Sequence, residues 1–177
     1  MTASTPTRTD PERADLLAGL GAARHFLRFT VRDLTDEQAR ERSTASELTL
    51  GGLIKHVAAV EQGWADFVVD GPSAMTDYSA MTEDDVANWA DQFKLLPGET
   101  LDGVLAGYEK VAQRTDDLVA SLPDLNLSHL LPNAPWFPPG ERRSARRVFL
   151  HIIAETAQHS GHADIIRESL DGAKSMG

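Results

Sequence analysis

The chain contains no cysteine in its 177 residues. Disulfides, zinc–thiolate centres and cysteine nucleophiles are therefore excluded, and any metal site must be built from histidine and carboxylate. It also lacks any apolar run approaching the roughly 18 residues that span a bilayer, and the opening MTASTPTRTDPER shows no apolar stretch of a secretory leader. A soluble, cytoplasmic protein without a membrane partner is the expectation. Positive charge is scarce as well: 17 Lys and Arg face 27 Asp and Glu, a formal net charge of -10. Phosphate contacts need a basic surface, so nucleic acid is not an expected partner. The one basic cluster, ERRSARR from Glu141 to Arg147, reads as a solvated helix start. No internal repeat and no convincing strand pattern is visible.

What is present is helical periodicity. Residues 1–9 have the Ser, Thr and Pro content of a disordered tail, and residues 10–172 are expected to form one domain. Leu16, Leu20, Ala23, Leu27 and Val31 recur at three and four, giving a first helix over Asp10–Asp33. Thr35 and Gln38 form a capping-box pair for a short turn of helix. A second long helix spans Leu50–Val69, with Leu50, Leu53, Ile54, Val57, Trp64 and Val68 on one face. Thr82 with Asp85 opens a short helix carrying Trp89 and Phe93. The third long helix covers Glu99–Leu122 and the fourth Arg143–Asp171, with Gly172 as its stop. Between them Pro123–Gly140 holds five prolines and is expected as a loop, with Trp136 and Phe137 packing over the bundle. The sum is an all-α, antiparallel four-helix bundle.

The fourth helix interrupts its own apolar face. With His151 set at zero, Glu155 falls near about 40 degrees, His159 near about 80 and His162 near about 20, beside Val148 and Ile166 near about 60. Arg146, Asp164, Glu168 and Asp171 fall on the opposite side. An ionised Glu155 on a buried face needs a partner. Glu155 and His159, one turn apart, can converge on a metal ion or form a satisfied ion pair. A second half-site would come from another helix, where His56 is the candidate, beside Val60, Gly63 and Phe67. Glu61 lies in the same stripe, as an acceptor for a ligand histidine or paired with an arginine of the first helix. His25 and His129 read as surface or packing residues.

The stretches LTLGGLIKHVAAVEQGWADFVVDG and HIIAETAQHSGHADIIRESLDG resemble the two signature helices of the DinB superfamily, in an actinobacterial-type branch. The resemblance runs from about Asp10 to Gly172 and is most specific at G-L-x-x-H and E-T-A-x-H-x-G-H-A-D. It implies a four-helix bundle, often a homodimer, with a divalent metal on His56, Glu155 and His159. That set resembles the His, Glu, His variant found in mycothiol-dependent maleylpyruvate isomerase. His162 is left as a substitute ligand or a neighbour of the ligands.

Two imidazoles and one carboxylate leave coordination positions open, and zinc is the first choice, with nickel, manganese and iron(II) also suited. Three functions follow. In the first, the metal activates a low-molecular-weight thiol, such as mycothiol, against a small-molecule electrophile in a transferase or isomerase. In the second, metal-bound water hydrolyses a substrate, with His162 as catalytic proton carrier, or His151 in its place. In the third, the bundle is noncatalytic and the ion or a polar network only holds its helices in register.

Overall fold

The computed structural model of the chain describes residues 10–75, 81–82 and 90–175. Four long helices build it: α1 (Pro11–Phe29), α3 (Leu50–Asp70), α4 (Leu101–Ser121) and α5 (Ala145–Asp171), with the short α2 (Asp36–Arg40) after α1. Each long helix starts where its sequence caps it. Asp10, Thr49, Thr100 and Ser144 accept from the backbone N–H of Glu12, Gly52, Gly103 and Arg147. Gly71 and Gly172 stop α3 and α5 at φ 70° and 79°, a backbone region open to glycine. The capping box of Thr35 and Gln38 forms as expected.

The all-α bundle is the architecture that the periodicity implies. α1 packs on α5, and α3 packs on both α4 and α5. Helix direction follows from cross-helix pairs. Asp66 and Lys55 of α3 pair with Arg114 and Glu99, in rising order along both segments, so α3 and α4 run parallel. α1 and α5 are likewise parallel to each other, since Glu12 holds Arg146 and Arg167 reaches the carbonyls of Thr30 and Arg32. The two parallel pairs make an up-down-down-up order.

Two apolar clusters fill the interior. One gathers Leu27, Leu53, Ile54, Val57, Tyr108 and Ile166; the other gathers Leu20, Trp64, Phe67, Val119, Phe149 and Ile152. Along each helix the residues between the two clusters are polar and buried: Arg24, Glu61, Thr115 and Thr156. The bundle thus has a polar waist.

Five local expectations need correction or limits. α1 ends at Phe29 rather than near Asp33, because the chain turns through Asp33 at φ 58° and Arg167 takes up the freed carbonyls of Thr30 and Arg32. The proline-rich segment is not wholly a loop: β1 (Ser128–Leu130) pairs antiparallel with β2 (Arg142–Ser144), with His129 opposite Arg143. Such three-residue strands are too short to show a period of two. Part of the ERRSARR cluster is therefore strand, and α5 begins only at Ala145. The disordered tail, and the short helix around Asp85 and Trp89, lie outside the described residues. No helix among the described residues is long and apolar enough to cross a membrane.

Candidate metal centre

The site stands at the edge of the polar waist, where α3 faces α5. Its position depends on a glycine. A Cβ at Gly52 would lie 1.8 Å from the carbonyl oxygen of Phe93, so only glycine lets the turn Asp91–Phe93 close on the start of α3. That approach stacks the Phe93 ring on His56, with centroids 4.1 Å apart. Sequence reading placed Phe93 in a short helix and gave it no role, because the contact is set by backbone approach and leaves no periodic signal.

His56 comes from α3, and Glu155 and His159 lie one turn apart on α5. Their ligand atoms all fall within 4.8 Å of one another. Glu155 Oε1 is 3.2 Å from His159 Nε2 and 3.7 Å from His56 Nε2. The His159 ring meets the His56 ring edge-on at 5.0 Å. Hydrogen bonding from His159, then from His56, holds the Glu155 carboxyl well below the usual carboxylate range, against the opposing effect of burial. The group is therefore a carboxylate wherever the protein is folded near neutral pH.

The remaining histidines separate by position. His162 sits one turn beyond, its Nδ1 3.4 Å from His159 Nδ1. His151 lies a turn earlier against the Trp64 indole, with centroids 4.9 Å apart, and stays out of the cluster. Burial, and secondarily the charge of Arg143, lowers its pKa. His25 is exposed, stacked on Phe29. His129 is a packing residue on β1, set against Phe67 and within 3.2 Å of the Val68 carbonyl. Glu61 resolves to the arginine pair, with Arg24 Nε and Nη2 at 3.2 and 2.5 Å from its oxygens. It is not an acceptor for His56, whose Nδ1 is buried with no hydrogen-bond partner among the described residues.

The four polar residues of α5 were expected on the buried face. They are half-buried on its flank, while the centre is taken by Ile152, Thr156, Ala163 and Ile166. That flank position keeps the cluster within reach of small molecules. Phe137 joins the apolar packing beside Trp64 as expected, whereas Trp136 is 60% exposed.

No curated protein matches the chain. The model of the mycothiol-S-transferase family matches residues 15–172, a span holding most of α1, the other three long helices and every member of the cluster, and the chain belongs to that family within the DinB-like superfamily.

Proposed function

We propose that the chain is a divalent-metal-dependent S-transferase that joins a low-molecular-weight thiol, mycothiol, to a small electrophilic substrate. The observation that carries this reading is the convergence of two imidazoles and a carboxylate, His56, Glu155 and His159, in a chain of the mycothiol-S-transferase family. The donor set suits zinc first, and nickel, manganese or iron(II) accept the same ligands. Three protein ligands leave room for a thiol beside them. A bound ion would supply the Lewis acidity that lowers a thiol's pKa toward neutral pH. The chain has no cysteine of its own, so the nucleophilic sulfur belongs to the cosubstrate.

The side chains divide the rest of the work. Glu155 brings a fixed negative charge. His159 points Nε2 at Glu155, which leaves Nδ1 facing His162. A neutral His159 that ligates through Nε2 carries its proton on Nδ1, where it donates to His162 Nδ1. His162 is then a positioning residue that fixes the tautomer of a ligand. Phe93 covers one face of His56 and keeps water from it.

Zinc-loaded protein supplied with mycothiol and a panel of alkyl and aryl halides is expected to consume thiol and halide faster than the metal-free protein. Equal consumption in the two forms would overturn the reading. His162→Ala should leave the fold intact and weaken metal affinity about 10–100-fold; unchanged affinity would remove the tautomer role.

A further inference from the structure

The two imidazoles of the cluster are enclosed alike and supported differently. The side chains of His56 and His159 are 9% and 12% exposed, so burial does not separate them. Each turns Nε2 toward Glu155 Oε1, His56 at 3.7 Å and His159 at 3.2 Å. The difference lies on the far side of each ring. Nδ1 of His159 is 3.4 Å from Nδ1 of the half-buried His162. Nδ1 of His56 is buried with no hydrogen-bond partner among the described residues. The Phe93 ring, stacked on His56 at 25° from parallel, presents no acceptor to it.

A neutral imidazole has one proton for its two nitrogens. An ion at Nε2 puts that proton on Nδ1, and a ligating histidine ordinarily donates it to an acceptor. His159 can do so, because His162 accepts through Nδ1 while carrying its own proton on Nε2. If the proton of His159 returns to Nε2, His162 changes tautomer in turn and donates instead. His159 therefore serves an ion without stranding a polar group. His56 has no such partner: with an ion at Nε2, its Nδ1–H is a buried donor that meets nothing. Leaving a buried donor unpaired weakens an equilibrium by about 5- to 150-fold. The proton is better placed on Nε2 of His56, where it faces the Glu155 carboxylate.

We propose that His56 is the exchangeable ligand of this centre: α5 holds the ion through Glu155 and His159, and the position that His56 fills is yielded to a second external donor beside the thiol. The inference rests on the metal-dependent thiol-transfer reading. When His56 yields, its bond to the ion breaks and the donor's bond takes its place. The one proton of His56 passes through water from Nδ1 to Nε2, and a thiolate donor brings none. Zinc affinity, measured in the full chain by competition with a chromophoric chelator, compares His56→Gln with His159→Gln. His159→Gln is expected to weaken binding at least about tenfold more than His56→Gln. Adding His162→Ala should lower affinity further in the His56→Gln background and change nothing in the His159→Gln background. Equal losses from the two glutamine variants, or a larger loss from His56→Gln, overturn the inference.

A second measurement uses the unaltered protein, so it does not depend on any variant folding. Cobalt(II) in place of zinc shifts the ring N–H protons of ligating histidines out of the ordinary proton spectrum, one signal for each imidazole. Two such signals are expected, and saturating 2-mercaptoethanol, held near a thiol's own pKa of about 8.5, should remove one of them. Both signals surviving once sulfur-to-cobalt absorption shows the thiolate bound would overturn the exchange. Absence of that absorption would count against the thiol-transfer reading instead, while the order of the two glutamine variants tests His56 by itself. Neither measurement requires turnover.

Discussion

Glu61 and His56 stand on the same helix, yet the first is closed off by its partners and the second opens toward a site. Around Glu61 the accounts balance. Arg24 gives it two hydrogen bonds and turns its third nitrogen to Asp116 at 2.8 Å, with the Arg24 and Glu61 side chains 6% and 0% exposed. Nothing is left over for a ligand. Around His56 the groups converge on one point: two imidazoles flank one carboxylate oxygen, which takes a hydrogen bond from His159, and His56 Nδ1 is left without a partner among the described residues. Buried polarity alone therefore does not mark a site in this bundle. The mark is a surplus of donor atoms aimed at one point on a flank that small molecules can reach.

The sharpest way to break the comparison is to open the closed pair. Arg24→Met strands a fully buried carboxylate and should cost about 3–5 kcal/mol, read from urea denaturation. Combining it with Glu61→Met should recover most of that loss. A single substitution costing under about 1 kcal/mol would mean that the pair is not the closed unit described.

A smaller effect is expected from Gly52→Ala, which forces the Phe93 carbonyl away from α3. Overpacking of this kind costs about 1–3 kcal/mol. It should also lift Phe93 from His56 and weaken metal binding, whereas Glu61 keeps its partners. Thermal unfolding with a zinc titration checks both parts, and unchanged zinc affinity would show that Phe93 does not hold His56.

The mildest expected effect is that of pH on the metal-free protein. Glu155 is depressed in the folded state, so its contribution is present above the unfolded value of about 4.3 and is lost as pH falls through the lower folded value. His151 is depressed by burial, so the unfolded chain binds its proton more readily, and stability falls below about pH 6.5. Urea midpoints at about pH 8, 6 and 4 should decline in that order, and Glu155→Gln should flatten the last step. A midpoint that rises on acidification contradicts both assignments.

The bundle was legible because its long helices repeat at 3.6 residues, and the expected starts at Leu50, Glu99 and Arg143 fall within two residues of the observed ones, which Thr49, Thr100 and Ser144 cap. The cluster was legible because His56, Glu155 and His159 interrupt apolar stripes at a spacing that one ion can bridge. Other features had no local signal. The parallel run of α3 and α4 depends on how a long crossover folds. The ribbon of β1 and β2 is too short for alternation. Glu61 could be assigned a cation only once tertiary packing showed which arginine reached it. Arg143 was misread because a charge between other charges reads as solvated, whereas Trp64 from α3 and the nearby Phe137 both pack against its guanidinium.

Metal content of purified, untagged protein beside Glu155→Gln and His159→Ala tests the central claim most directly. The account predicts about one divalent ion per chain in the unaltered protein and close to none in either variant. A metal-free protein that resists loading, or variants that keep their ion, would contradict it and leave the three residues as a buried polar network.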